Sequence, residues 1–142
     1  IDFGLALLSG GGDRITLDGV LVGTPAYIAP EQTKSRAAVD FRADIWSVSV
    51  VLYHAVTGRV PFESTGPLGM LDAIRTERPT PTVALGAGDA ALWVLIERGL
   101  CKDPAARWGS ALELGRALAG WLLARGADRD AYGVSLREEW GG

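Results

Sequence analysis

The chain has 142 residues, of which 48% are hydrophobic and 22% charged, with a formal net charge of −3 and one cysteine. That length and balance suit one soluble globular core rather than two, and the mild acidity removes any reason to expect non-specific nucleic-acid binding. A single thiol, Cys101, excludes an internal disulfide and fits a reducing compartment, and no secretory signal is visible.

Residues 1 to about 32 read as a long loop. They hold "SGGGDR", the turn-like pair Asp18-Gly19, and "GTPAYIAPEQ" with two prolines, while 5–8 and 20–22 are short apolar pieces suited to brief strands or loop packing. A loop of this length with so little regular structure is uncommon unless it is functional or disordered. The segment 1–22 is therefore expected to be the least ordered part of the chain.

From Asp44 the pattern becomes helical. The run "IWSVSVVLYHAV" at 45–56 is too short to span a bilayer and apolar nearly all round, which predicts a buried helix from about 44 to 56, ended by Gly58. Gly58 and Pro61 mark a turn. A short helix is predicted from Pro67, with Leu68, Leu71 and Ile74 on one face, and Pro79 and Pro81 then impose an extended stretch. A third helix starts at the N-cap Asp89 and carries Leu92, Leu95, Ile96 and Leu100. A fourth starts at Ser110, with Glu113 completing a capping box and Leu114, Leu118, Trp121 and Leu122 facing inward. Residues 125–142 mix charge, glycine and isolated aromatics and read as a tail or the start of a linker. Nothing supports a substantial sheet, so the fold class is mainly α: a helical body behind an irregular arm.

Three motifs in fixed order carry the functional signal. Asp2-Phe3-Gly4 is followed by "GTPAYIAPE" at 23–31 and "ADIWSVSVVLY" at 43–53. Together they resemble the protein kinase family, most closely the eukaryotic-like serine/threonine kinases of bacteria. The likeness covers residues 1–124, divided into an activation segment at 2–31 and a helical body at 44–124, and corresponds to the C-terminal lobe of a partial protein-kinase-like fold without its N-terminal lobe.

The resemblance implies a role for each matching residue. Asp2 would hold the Mg²⁺ that bridges the ATP phosphates, since a hard cation takes a carboxylate oxygen. Phe3 would pack inward, and Gly4 would permit the sharp turn. Thr24 would stand beside the reacting hydroxyl, with a threonine there suiting Ser/Thr acceptors, and Thr24, Pro25, Ala26 and Tyr27 would floor the residue after the acceptor. Glu31 would pair with Arg107, and Asp44 would anchor the catalytic loop through backbone N–H groups. Thr16 and Ser9 are candidates for activation-loop phosphorylation, with Arg14 and Arg36 as local partners for the phosphate. An unmodified loop threonine is an equal reading of Thr16. In two places the sequence departs from the family pattern without touching chemistry: Ser49 replaces a usual glycine, and Trp108 a frequent proline.

Plainer readings win elsewhere. "SGGG" at 9–12 lacks a following Gly-Lys-Ser/Thr and is a flexible loop, not a phosphate cradle. His54 and Cys101 read as structural. Trp46, Trp93 and Trp121 fall at core spacing, whereas Trp108 and Trp140 are expected nearer the surface.

The residues that precede Asp-Phe-Gly in the family do not occur within these 142: there is no G-x-G-x-x-G, no V-A-I-K and no H-R-D. The reading is thus a fragment of a Ser/Thr kinase that uses ATP and Mg²⁺ on protein substrates. It is expected to need the N-terminal lobe as its partner, to bind ATP poorly alone, and to leave apolar surface on 45–56 uncovered. The domain is expected in the cytoplasm, with a membrane anchor in a longer parent not excluded. The alternative is a truncated, non-catalytic helical module docking through the groove near 61–74.

Overall fold

A computed structural model of the chain describes residues 25–34 and 38–141. Among them the backbone is helical, with no strand and one isolated bridge between Arg129 and Ser135. Two 3-10 turns, Pro25–Tyr27 and Pro30–Thr33, precede α1 (Arg42–Thr57), α2 (Pro67–Thr76), a third turn Thr82–Leu85, α3 (Ala90–Gly99), a fourth turn Pro104–Ala106, α4 (Ala111–Leu123) and α5 (Leu136–Trp140).

Helix α1 is the centre. It begins two residues before the predicted Asp44, because the Asp40 carboxylate accepts the Arg42 N–H and Asp44 falls inside the first turn. It stops at Gly58, whose φ of 75° turns the chain left-handed and brings its N–H to the His54 carbonyl. Its side chains Trp46, Val50 and Tyr53 join Phe62, Ile74, Leu92, Trp93 and Ile96 in the main core. Trp46 stacks on Phe62 with centroids 5.7 Å apart, and Tyr53 meets Trp93 edge-on at 6.4 Å. The helix is not buried all round: Val48, His54 and Ala55 face solvent.

The caps explain the remaining helices. Pro67 opens α2 and Asp89 opens α3, its carboxylate accepting the Leu92 N–H. Ser110 Oγ accepts the Glu113 N–H at the start of α4. The returning half of the predicted capping box is displaced by one residue, since Glu113 takes the Gly109 N–H rather than that of Ser110.

Three placements differ from expectation. Leu68 is 83% exposed, whereas Leu71 and Ile74 of the expected face are buried, together with Ala73. Trp108 is 7% exposed rather than superficial: its Nε1–H donates to the Leu95 carbonyl, and the Arg98 guanidinium lies 4.1 Å over its ring. Residues 125–141, read as a tail or linker start, fold back on α4. Asp130 Oδ1 accepts the N–H groups of Tyr132 and Val134, Leu136 is buried, and the Trp140 ring covers Gly115, where a Cβ would strike it at 2.2 Å. The expected arm over 1–22 lies outside the described residues.

Candidate functional site

Of the candidate site residues, Pro25, Ala26, Tyr27, Glu31, Asp44 and Arg107 are described. Asp2, Phe3, Gly4, Ser9, Thr16 and Thr24 lie outside the described residues, as do Arg14 and Arg36.

The segment 25–33 is packed onto the body at several points. Ala26 and Ala29 are buried. Gln32 Oε1 accepts the Ala29 N–H, closing the turn that begins at Pro30. The Thr33 hydroxyl donates to the Pro30 carbonyl, and Arg75 of α2 donates to both Thr33 Oγ1 and the Thr33 carbonyl at 2.6 Å. Ahead of this, the Ser47 hydroxyl of α1 donates to the Tyr27 carbonyl at 2.9 Å, and the Tyr27 hydroxyl lies 3.0 Å from His54 Nδ1.

Glu31 and Arg107 meet across 76 positions of sequence. Two guanidinium nitrogens donate to the two Glu31 oxygens, each at 2.8 Å, in the fork geometry that suits arginine. Arg107 also donates to the carbonyls of Arg42 and Cys101 at 2.8 Å. Its side chain has no exposure and that of Glu31 only 11%, so the pair ties three parts of the chain together inside the protein: the turn at 30–33, the start of α1 and the end of α3. The Asp44 side chain, by contrast, is exposed and makes no hydrogen bond among the described residues, its carboxylate at the positive end of the α1 dipole.

Lys102 is a group that sequence reasoning passed over. Its ammonium donates to the Ile74 carbonyl at the end of α2 and lies 3.9 Å over the Phe62 ring. Burial pushes its pKa down to about 8, against a raising influence of Glu77 and with a smaller lowering one from Arg107. The unfolded chain therefore holds this proton over about pH 8 to 10.5 while the folded chain has released it. Stability must rise with pH across that window as the burial penalty is relieved. Urea unfolding at pH 7.5 and 9.5 should show the native chain gaining stability relative to Lys102→Met, which cannot titrate; equal changes in both would refute it.

Ser47, His54, Arg75 and Lys102 all escaped the sequence. Ser47 and His54 stand seven positions apart and so share a helix face, but Ser49 and Tyr53 in the same run also carry hydroxyls, so the pattern does not single the pair out.

Among the described residues no group of three or more His, Cys, Asp or Glu side chains is placed to hold a metal ion, and the implied ligand Asp2 lies outside them. No helix in the described residues is long and apolar enough to cross a membrane.

Residues 1–116 match the protein kinase domain family, and the chain belongs to it. Among curated relatives it is 40% identical over 119 residues to serine/threonine-protein kinase Pkn1 of Myxococcus xanthus, covering 83% of this chain and 17% of that protein. It is 42% identical over 94 residues to PksC of Streptomyces coelicolor (66% of this chain, 17% of the relative). It is 33% identical over 116 residues to PknB of Mycobacterium tuberculosis (80% and 18%). The chain thus spans about a sixth of the length of these relatives.

Proposed function

We infer that the chain is part of a serine/threonine protein kinase that transfers the γ-phosphoryl group of ATP to a Ser or Thr hydroxyl of a protein substrate. The observation that carries this reading is the family match over 1–116 with relatives that are themselves serine/threonine kinases. The bidentate Glu31–Arg107 pair supports it by fixing the turn beside the proposed substrate floor to the helical body.

ATP and Mg²⁺, when bound, supply the phosphoryl group and neutralise its charge. Within this chain Asp2 offers the carboxylate for the metal, with Phe3 and Gly4 shaping the turn around it. Thr24 borders the acceptor hydroxyl, and Pro25, Ala26 and Tyr27 support the residue that follows. Thr16, and after it Ser9, are the loop hydroxyls best placed in sequence for phosphorylation. Asp44 anchors the loop that carries the base. The kinase part runs to 124, and it works in the cytoplasm, where ATP is held. Positioning is nearly all of this catalysis, and the lysine, glutamate and base that complete it are not among these 142 residues, so the segment alone is inactive.

The test uses the longer reading frame containing this segment, assayed for transfer from labelled ATP to a Ser/Thr peptide. Asp2→Asn should abolish transfer without lowering the melting temperature, and residues 1–142 alone should show no micromolar ATP affinity by calorimetry. Full activity of Asp2→Asn, or micromolar ATP binding by the segment, would overturn the reading.

A further inference from the structure

Tyr27 is gripped at both ends by one face of α1. The Ser47 hydroxyl has a usual resting place in the Ala43 carbonyl, 3.2 Å away, yet makes its shorter bond, 2.9 Å, to the Tyr27 carbonyl. Two helical turns further along, His54 Nδ1 stands 3.0 Å from the Tyr27 hydroxyl. Between these points the Tyr27 ring lies against the main core, with buried Ala26 and Ala29 on either side. The turn bonds Ile28 N–H to Pro25 carbonyl and Ala29 N–H to Gln32 Oε1 stay within the segment. Among the described residues, the two bonds from α1 are thus the hydrogen bonds that tie residues 25–29 to the body.

We propose that Ser47 and His54 are positioning residues for the polypeptide substrate, setting through Tyr27 the height of the floor on which the residue after the acceptor rests. This rests on the reading of 24–27 as that floor. A phenol both donates and accepts, and an imidazole nitrogen does either according to its tautomer. The grip therefore needs the tyrosine hydroxyl and a hydrogen-bonding atom at the Nδ1 place. Asparagine at 54 puts its terminal amide near that place; alanine puts nothing there.

Amide exchange of Ile28 and Ala29, followed by NMR on the 142-residue chain with α3 amides as reference, tests the grip. Tyr27→Phe and His54→Ala should each speed exchange about fivefold, as for one net hydrogen bond, and the double variant no more than either. His54→Asn should return exchange to near the native value, and Ser47→Ala should speed it with His54 intact. Unchanged exchange in Tyr27→Phe, additive effects, or an equal rise in α3 amides would each overturn the grip. A second arm uses the longer polypeptide. His54→Ala should raise KM for a Ser/Thr peptide with kcat and KM for ATP unchanged, and His54→Asn should restore it. Faster exchange with an unchanged peptide KM would overturn the floor reading and leave the grip standing.

Discussion

Arg107→Ala is expected to destabilise the protein by about 3–5 kcal/mol, the usual result of breaking a buried ion pair from one side. The guanidinium is fully buried and donates to both Glu31 oxygens and to the carbonyls of Arg42 and Cys101. Its removal strands a nearly buried carboxylate and two carbonyls together. For a chain of this size each kcal/mol moves Tm by about 3 °C, so Tm should fall by roughly 10–15 °C. The two partners are not equivalent. With Glu31→Gln, the guanidinium keeps both carbonyls and an amide oxygen, and Glu31 itself retains slight exposure at 11%. That variant should cost clearly less than Arg107→Ala. Arg107→Lys should behave more like alanine than like arginine, because one ammonium cannot serve two oxygens and two carbonyls from one place. Equilibrium urea unfolding of the three variants checks the order; equal losses for Glu31→Gln and Arg107→Ala would show that the carbonyl contacts carry no weight.

That pair also marks where sequence reasoning stops. The helices were readable because their causes are local: Asp89 caps α3, Pro67 opens α2, Gly58 ends α1, and the apolar spacing of Leu92, Ile96 and Leu100 needs no knowledge of the partner surface. Glu31 and Arg107, 76 positions apart, share no periodicity, and only the ordered motifs of a known family suggested that they meet. Where neither local pattern nor motif spoke, expectation and structure part. Leu68 fits the α2 stripe on paper, but it stands in the first turn of the helix and is exposed, while Leu71 and Ile74 further along face the core. Trp108 follows a turn and reads as superficial, yet Leu95 and Arg98, ten and more residues earlier, enclose it. Residues 125–141 carry no long apolar run. They pack through one buried leucine and one tryptophan lying on a glycine, a pattern too sparse to distinguish from a linker. At the candidate site, the family motif pointed to Tyr27 as part of the proposed floor, but nothing in the sequence pointed to the contacts that Ser47 and His54 make with it. A serine and a histidine in an apolar helix say nothing of what crosses above them.

Gly99→Ala is the second substitution with a large expected effect, and here an added methyl does the damage. A Cβ at Gly99 would lie 1.8 Å from Ser49 Oγ and 2.7 Å from Ser49 Cβ, so α1 and α3 cannot keep their approach. The obstacle is not the free end of a long side chain. Ser49 is wholly buried and its hydroxyl is bonded to the Ile45 carbonyl at 2.8 Å. Overpacking of this kind costs about 1–3 kcal/mol. Alanine's better helix propensity does little against it, since Gly99 is the last residue of α3. The position opposite explains how a serine stands where the family usually has glycine: the crossing needs one of the two residues to lack a side chain, and here Gly99 does. Ser49→Gly should accordingly rescue Gly99→Ala. With the serine gone, the nearest remaining atom to the new Cβ is the Ile45 carbonyl oxygen at 3.7 Å, an ordinary contact. Ser49→Gly alone should cost about 1 kcal/mol for a glycine inside a helix, plus its hydroxyl bond. The double variant should then be more stable than the sum of the two losses by at least about 1 kcal/mol, the coupling expected of two residues in direct contact. Additive losses in urea unfolding would mean that α1 and α3 separate freely, and that the crossing does not depend on the missing side chain.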